Sequence, residues 1–302
     1  MNQKNGKNLL NNKNLRFTIV DAAVILCMVT AVYCFVSRAG DVLDYKWAWN
    51  KIMPYFFYFD SASGKLVPNV LATGFAVTVK LSLWSTVLGL VLGIFSGIAG
   101  ARGSLEQRFI SRVYVETARN IPSLVLVIIF YYFVSSQFLD ALHLDTWLRS
   151  VPRDTKKIFS LLFAGPDQIN SFISAVAALG IYEGAYVSEI IRGGIISIPE
   201  GQWEAALSVG LSRRRTFVLV ILPQTLRRVA FPLAGQFIST IKDSSIVSVI
   251  SIQELTFQGM ELMSATFLTF EIWITVTVLY FILTFSLSRA VAFLEKKYRF
   301  RY

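Results

Sequence analysis

Residues 81–101 read LSLWSTVLGLVLGIFSGIAGA, with Lys80 just before the run and Arg102 just after it. The run carries no charge, and as an α-helix it rises about 30 Å, the thickness of a bilayer's hydrocarbon core. Gly89, Gly93 and Gly97 recur every four residues and so share one helix face. Small residues at that spacing let another helix approach closely. The stretch reads as a membrane span with one packed face.

Similar runs recur at residues 17–36, 121–139, 168–192, 229–253 and 272–288, giving about six candidate transmembrane helices. Across 302 residues, 54% are hydrophobic and 16% charged, with mean hydropathy +0.55. That composition excludes intrinsic disorder and argues against a water-soluble globule. The net charge of +10 is then loop charge facing anionic lipid rather than a nucleic-acid surface. The first run exceeds a signal-peptide core and lacks a cleavage site, so it reads as an uncleaved span. Cys27 and Cys34 lie in it, about 10 Å apart along a helix, too far for a disulfide within that helix. The single histidine, His143, sits in a polar loop, which argues against a metal site or histidine-based catalysis.

The basic residues set an orientation. Nineteen Lys and Arg fall in the two termini and the even loops, against eight in the odd loops. This bias places both termini and the even loops in the cytoplasm. Residues 105–116 alternate charge with Phe109, Ile110, Val113 and Tyr114, the pattern of an amphipathic helix on the cytoplasmic interface. Residues 140–167 form an outer loop, polar and long for a plain connector. No internal repeat is evident.

The cytoplasmic loop 197–223 has a finer pattern. Ser197-Ile198-Pro199-Glu200 has capping-box spacing. A short helix should follow through Trp203-Glu204-Ala205-Ala206-Leu207, and Gly210 can end it in the left-handed conformation. Ser212 can cap a second helix, expected to stop at Pro223. The alanines leave a bare surface and Trp203 a large apolar anchor, suited to another protein's groove. On local grounds alone, a well-capped ordinary connector fits equally.

Glu204-Ala205-Ala206, Gly210 and Leu222-Pro223 resemble the EAA signature of ABC importer permeases, with Val220 where isoleucine is usual. The flanks extend the likeness: Glu189-Ile190-Ile191-Arg192-Gly193-Gly194-Ile195, Gly201-Gln202-Trp203, Gln236-Phe237, Lys242-Asp243-Ser244-Ser245 and Gln253-Glu254-Leu255. Together, over about residues 69–289, they resemble the polar amino acid branch (histidine, glutamine, arginine and general L-amino acid permeases). Arg119-Asn120-Ile121-Pro122 leans toward the general L-amino acid subgroup. The resemblance implies an all-α integral membrane protein, a five-helix type I importer core plus one N-terminal helix. Residues 1–60 would hold the cytoplasmic N-terminus, the extra helix and an outer loop. Residues 61–302 would hold the permease domain. It also implies partners: a second permease subunit, identical or sibling, two ATPase subunits on the EAA loops, and an extracytoplasmic amino-acid-binding protein. Gly201, Gln202, Trp203, Glu204, Ala205, Ala206 and Gly210 would be the coupling residues. The chain has no G-x-x-x-x-G-K-[ST] loop, so ATP and Mg are expected on the separate ATPase, with no cofactor in this chain.

Charged residues inside the membrane are costly and face a cavity or a partner. Glu183 lies about 13 Å deep and Lys242 and Asp243 about 20 Å from the cytoplasmic face, counted along their helices. A zwitterionic amino acid needs an anion for its ammonium and donors for its carboxylate. Glu183, Tyr186, Gln236, Lys242 and Asp243 can supply both, which makes them the substrate-pathway candidates. The competing reading for Lys242 and Asp243 is a structural ion pair; Glu189, near the interface, is read as structural. Two rival functions stand beside the importer: a secondary amino acid transporter without an ATPase, which leaves the capped EAA helix unexplained, and a membrane enzyme, for which no catalytic set is present.

Overall fold

The computed structural model describes residues 19–43, 45–61, 64–139 and 142–298. Phe17, Asp140 and the flanking basic residues Lys4, Lys7, Lys13, Arg16, Arg299 and Arg301 lie outside the described residues. The chain divides between Trp49 and Asn50 into two compact units. The first contains helix α1 (Ile19–Leu43), which runs past the end of the 17–36 apolar run. Val20, Leu26 and Tyr33 on it are exposed, as are Cys27 and Cys34. An apolar helix with exposed apolar residues needs lipid or another helix against it.

The second unit opens on an antiparallel hairpin, β1 (Phe57–Asp60) and β2 (Lys65–Pro68), with Phe57 opposite Pro68 and Asp60 opposite Lys65. Asn69 joins it to α2 (Val70–Arg102). The Asn69 side chain accepts from the Val70 N–H at 2.9 Å and donates to the Pro54 carbonyl at 2.8 Å. That cap starts the helix at Val70, well before the apolar run at Leu81. After Gly103, α3 (Leu105–Asn120) opens with a capping box between Ser104 and Gln107. Ile121 is extended, as a residue before proline prefers, and the chain bends by 106° at Pro122 into α4 (Ser123–Ile129). A π-helical stretch, Phe130–Leu139, continues it.

The outer loop expected at 140–167 holds two short helices, α5 (Leu144–Ser150) and α6 (Arg153–Leu162). α6 is tied to α2: Lys80 donates to the Ser160 carbonyl at 3.0 Å and the Trp84 indole to the Leu162 carbonyl at 2.9 Å. Trp84 stacks on Phe163 at 4.6 Å, and Phe163 on Phe159 at 4.8 Å. The Trp84–Phe163 contact joins residues far apart in sequence and leaves no local periodicity to read.

α7 (Ile169–Ile196) packs along α2 in the most extensive contact of the unit. A Cβ on Gly89 would lie 3.2 Å from the Glu183 Cβ, and one on Gly97 only 2.6 Å from the Ser188 carbonyl oxygen. The expected small-residue face is therefore an interface, and α7 answers it with Gly180, Gly184 and Ser188 at the same four-residue spacing. Leu81, Val127, Phe172, Leu179 and Val247 fill the core beside it.

α8 (Glu200–Ser208) and α9 (Arg213–Thr216) follow, then a π turn at Phe217–Ile221 and α10 (Leu222–Asp243). The second helix does not stop at Pro223, contrary to the sequence expectation. Pro223 falls in the first turn of α10, and the wider π turn ahead of it makes room for the ring and the missing N–H. The rod continues through a 3₁₀ segment, Ser244–Ile250. Two helices end the described chain, α11 (Leu255–Thr266) and α12 (Thr269–Tyr298). Glu254, fully buried, caps α11: it accepts from the N–H groups of Thr256 at 2.9 Å and Phe257 at 2.7 Å, and from the Tyr280 hydroxyl at 2.8 Å.

Among the described residues, four helices are long and apolar enough to cross a membrane: α2, α7, the Arg213–Ile250 rod and α12. The bent α3–α4 pair makes a fifth, and α1 adds the N-terminal apolar helix.

Candidate functional site

The α8–α9 hairpin takes its shape from backbone chemistry. The Leu211 N–H bonds to the Ala206 carbonyl at 3.2 Å and the Gly210 N–H to the Leu207 carbonyl at 2.9 Å, the paired closure of a Schellman turn. Gly210 adopts φ +86°, and Ser212 caps α9 through the Arg215 N–H at 3.4 Å. The expected capping box at Ser197 does not form. Its hydroxyl instead donates to the Gly194 carbonyl at 2.7 Å and accepts from Arg228 at 2.9 Å, so Pro199 stands at the N-cap without a side-chain acceptor.

Trp203 also departs from expectation. It is half-buried rather than turned outward for a partner: the Arg102 guanidinium lies 4.0 Å above its ring and Phe217 stacks at 6.4 Å. Ala206 is buried beside it. These two side chains fix α8 to the body of the protein. Gly201, Gln202, Glu204, Ala205 and Gly210 remain exposed, with Gln202 accepting from Gln224 at 3.2 Å.

Three of the membrane-depth candidates, Glu183, Gln236 and Asp243, meet between α7 and α10. Glu183, 1% exposed near the middle of α7, accepts from the Gln236 amide at 2.6 Å through Oε2. Its Oε1 is enclosed without a hydrogen-bond partner among the described residues. The Asp243 carboxyl lies beside it. Lys242 does not join them: it is exposed, and no carboxylate stands within 4.0 Å of it among the described residues. Neither Lys242 nor Asp243 makes an ion pair to another helix within 4.0 Å among the described residues, so the competing reading, a structural salt bridge between helices, is not formed within this subunit. Tyr186 shares a hydrogen bond with Tyr182 at 3.1 Å, and the Arg119 guanidinium stands 5.3 Å from its ring centre. A cavity of about 260 Å³ adjoins the cluster, lined by Glu183, Gln236, Thr240, Thr86, Leu90 and Phe237 among others. Tyr182 and Thr240 are additions to the sequence candidates. Their signal was positional, since each lies four residues from a named candidate on the same helix face. Glu189 pairs with Arg192 at 2.9 and 2.8 Å, as a structural residue would.

Apolar spans with a polar seam buried between them, and a capped hairpin at their end, define a multi-pass helical membrane protein with the fold of a type I ABC importer permease. The chain belongs to the family of binding-protein-dependent transport system inner membrane components, whose model matches residues 89–300. It is 36% identical over 222 residues to the glutamine transport system permease protein GlnP of Escherichia coli K12, covering 72% of this chain and 90% of that one. It is 32% identical over 230 residues to the L-cystine transport system permease protein TcyB of Bacillus subtilis 168, covering 76% and 86%. A crystal structure of an amino acid ABC transporter with histidines aligns with a TM-score of 0.64 at 26% identity, covering 84% of this chain and all of that one.

Proposed function

We propose that this chain is the translocating subunit of an ATP-driven importer of polar L-amino acids. Two permease subunits, identical or siblings, alternate between inward- and outward-facing states. ATPase subunits holding ATP and Mg bind the exposed face of α8 and the Gly210 turn, in the cytoplasm with both termini. A binding protein delivers the amino acid from the other side. The matched family is binding-protein-dependent, which favours this over a secondary transporter.

The observation that carries the substrate reading is the enclosed Glu183, held by Gln236 with one carboxyl oxygen left over, beside a cavity. Such an oxygen accepts from a substrate ammonium or a cationic side chain, while Gln236 fixes its orientation. Thr86 and Thr240 complete the polar lining, and the Asp243 carboxyl stands beside Glu183. Lys242 is exposed on this subunit, which fits a role toward the second permease or the substrate in this reading. Glu183→Gln keeps the shape and removes the charge. Uptake of several radiolabelled amino acids should fall, and the preference among them should shift, with membrane abundance and ATPase association retained. Wild-type uptake with an unchanged preference profile would remove Glu183 from the pathway.

A further inference from the structure

A second cavity, of about 780 Å³, opens between the end of α2, the start of α3 and the α8–α9 hairpin. Arg102, Arg108, Arg213 and Arg214 line it, together with one carboxylate, Glu200. The Glu200–Arg102 contact is long, at 3.4 Å, and solvent-exposed, so it neutralises little. Arg108 donates from Nε to the Gly103 carbonyl at 2.9 Å, which leaves its terminal nitrogens for other acceptors. Arg213 and Arg214 make no ion pair within 4.0 Å among the described residues. The Trp203 indole, also in the wall, encloses an N–H without an acceptor among the described residues.

Apart from Gln107, the rest of the wall is apolar, chiefly Phe95, Ile98, Leu207 and Phe217. Phe95 is 72% exposed and belongs to the uncharged run that crosses the membrane. Arg102 ends that run, so the arginines stand at the level of the lipid headgroups while Phe95 and Ile98 reach into the acyl region. An occupant must be anionic at one end and apolar at the other. Guanidinium groups pair with phosphate oxygens in a bidentate fork, and basic pockets at the cytoplasmic ends of spans take anionic headgroups.

We propose that this cavity is a binding site for the phosphate headgroup of an anionic glycerophospholipid, with an acyl chain laid along Phe95 and Ile98. The bound lipid bridges α2 and α3 to α9 and holds the hairpin in place from the side opposite its exposed face. The assignment to the cytoplasmic leaflet rests on the orientation proposed above.

The test uses the assembled transporter in nanodiscs of phosphatidylcholine containing a minor fraction of phosphatidylglycerol. Lipid retained per complex is quantified by native mass spectrometry. Wild type should retain phosphatidylglycerol above its bulk ratio, and no enrichment there overturns the proposal whatever the variants do. R213Q/R214Q should lose about fivefold in enrichment per arginine removed. K296Q/K297Q, which removes the same charge from α12 outside the cavity, should keep the wild-type enrichment; an equal loss in both variants overturns a specific site. Displacement of the retained lipid by inorganic phosphate or glycerol phosphate would assign the site to a free anion and overturn the lipid. If R213Q/R214Q loses its ATPase while keeping wild-type enrichment, the arginines dock protein instead, which also overturns it. A wild type that enriches phosphatidylglycerol but carries no ATPase would sink the importer reading and leave the lipid site standing.

Discussion

Gly210 turns the chain at φ +86° with nothing within 4 Å of where a Cβ would stand. Space is therefore no obstacle there and backbone conformation is. A β-branched residue resists positive φ, at a cost on the order of 2 kcal/mol. Gly210→Val should insert and reach normal abundance, yet lose ATPase association or uncouple hydrolysis from uptake. Ala206→Ser, which leaves the turn intact, should do less harm. Measured side by side, normal coupling in Gly210→Val would show that the turn does not matter to the partner. Glu254 poses a different problem. The Gln253-Glu254-Leu255 string was readable as part of a family likeness, but its role was not, because the Tyr280 and Thr78 hydroxyls that meet it come from distant sequence. A fully buried carboxyl with several donors is a structural clasp. Tyr280→Phe should lower stability by about 1.5 kcal/mol and Glu254→Ala by about 3 kcal/mol, the latter leaving donors unpaired. Thermal unfolding in detergent reads both, and equal, negligible shifts would contradict the clasp.

Between elements, the decisive contact is α2 on α7, and half of it was legible. The 81–101 run showed its glycine face directly, since a four-residue period survives in any listing of the residues. What answered it, Gly180, Gly184 and Ser188, lay in a run broken by Glu183 and read for its charge instead. A Cβ at Gly97 would meet the Ser188 carbonyl oxygen at 2.6 Å and the Ile191 Cβ at 2.8 Å, so Gly97→Leu should separate the helices and deplete the protein from the membrane. Gly193 has open space instead, and Gly193→Ala should be neutral or stabilising by up to about 1 kcal/mol, the helix-propensity gain. Abundance and thermal stability of the pair test the seam, and similar behaviour of both variants would argue against it. Elsewhere the sequence misled for identifiable reasons. Ser197 has the spacing of a capping box, but Gly194 and Arg228 claim its hydroxyl. Pro223 has the form of a helix stop, but a π turn absorbs it. Trp203 reads as an outward anchor, but Arg102 and Phe217, from elsewhere in the chain, hold it. Each error came from a local rule overruled by a group distant in sequence or by a backbone adjustment.

For the whole molecule, the remaining question is which end faces which compartment, and charge argues it. The end of α2, the start of α3 and the α8–α9 hairpin share one arginine-lined cavity, and so lie at the same end of the spans. α6 is bonded to Lys80 and Trp84, at the opposite end of the 81–101 run. A helix of twenty-one residues separates those two levels by about 30 Å, so they lie on opposite faces of the bilayer. Nineteen basic residues against eight favour the cytoplasmic placement of the hairpin proposed above. Cys27 and Cys34 are replaced by serine first, because both thiols are exposed. On that background Arg215→Cys should resist a membrane-impermeant maleimide in intact cells and react once the membrane is opened. Lys157→Cys, on exposed α6, should react in intact cells. Labelling of Arg215→Cys and protection of Lys157→Cys in intact cells would invert the topology, and with it the side on which the ATPase is expected. Labelling of both would mean that the segment between Arg102 and Lys80 does not span, against the length and apolarity of α2.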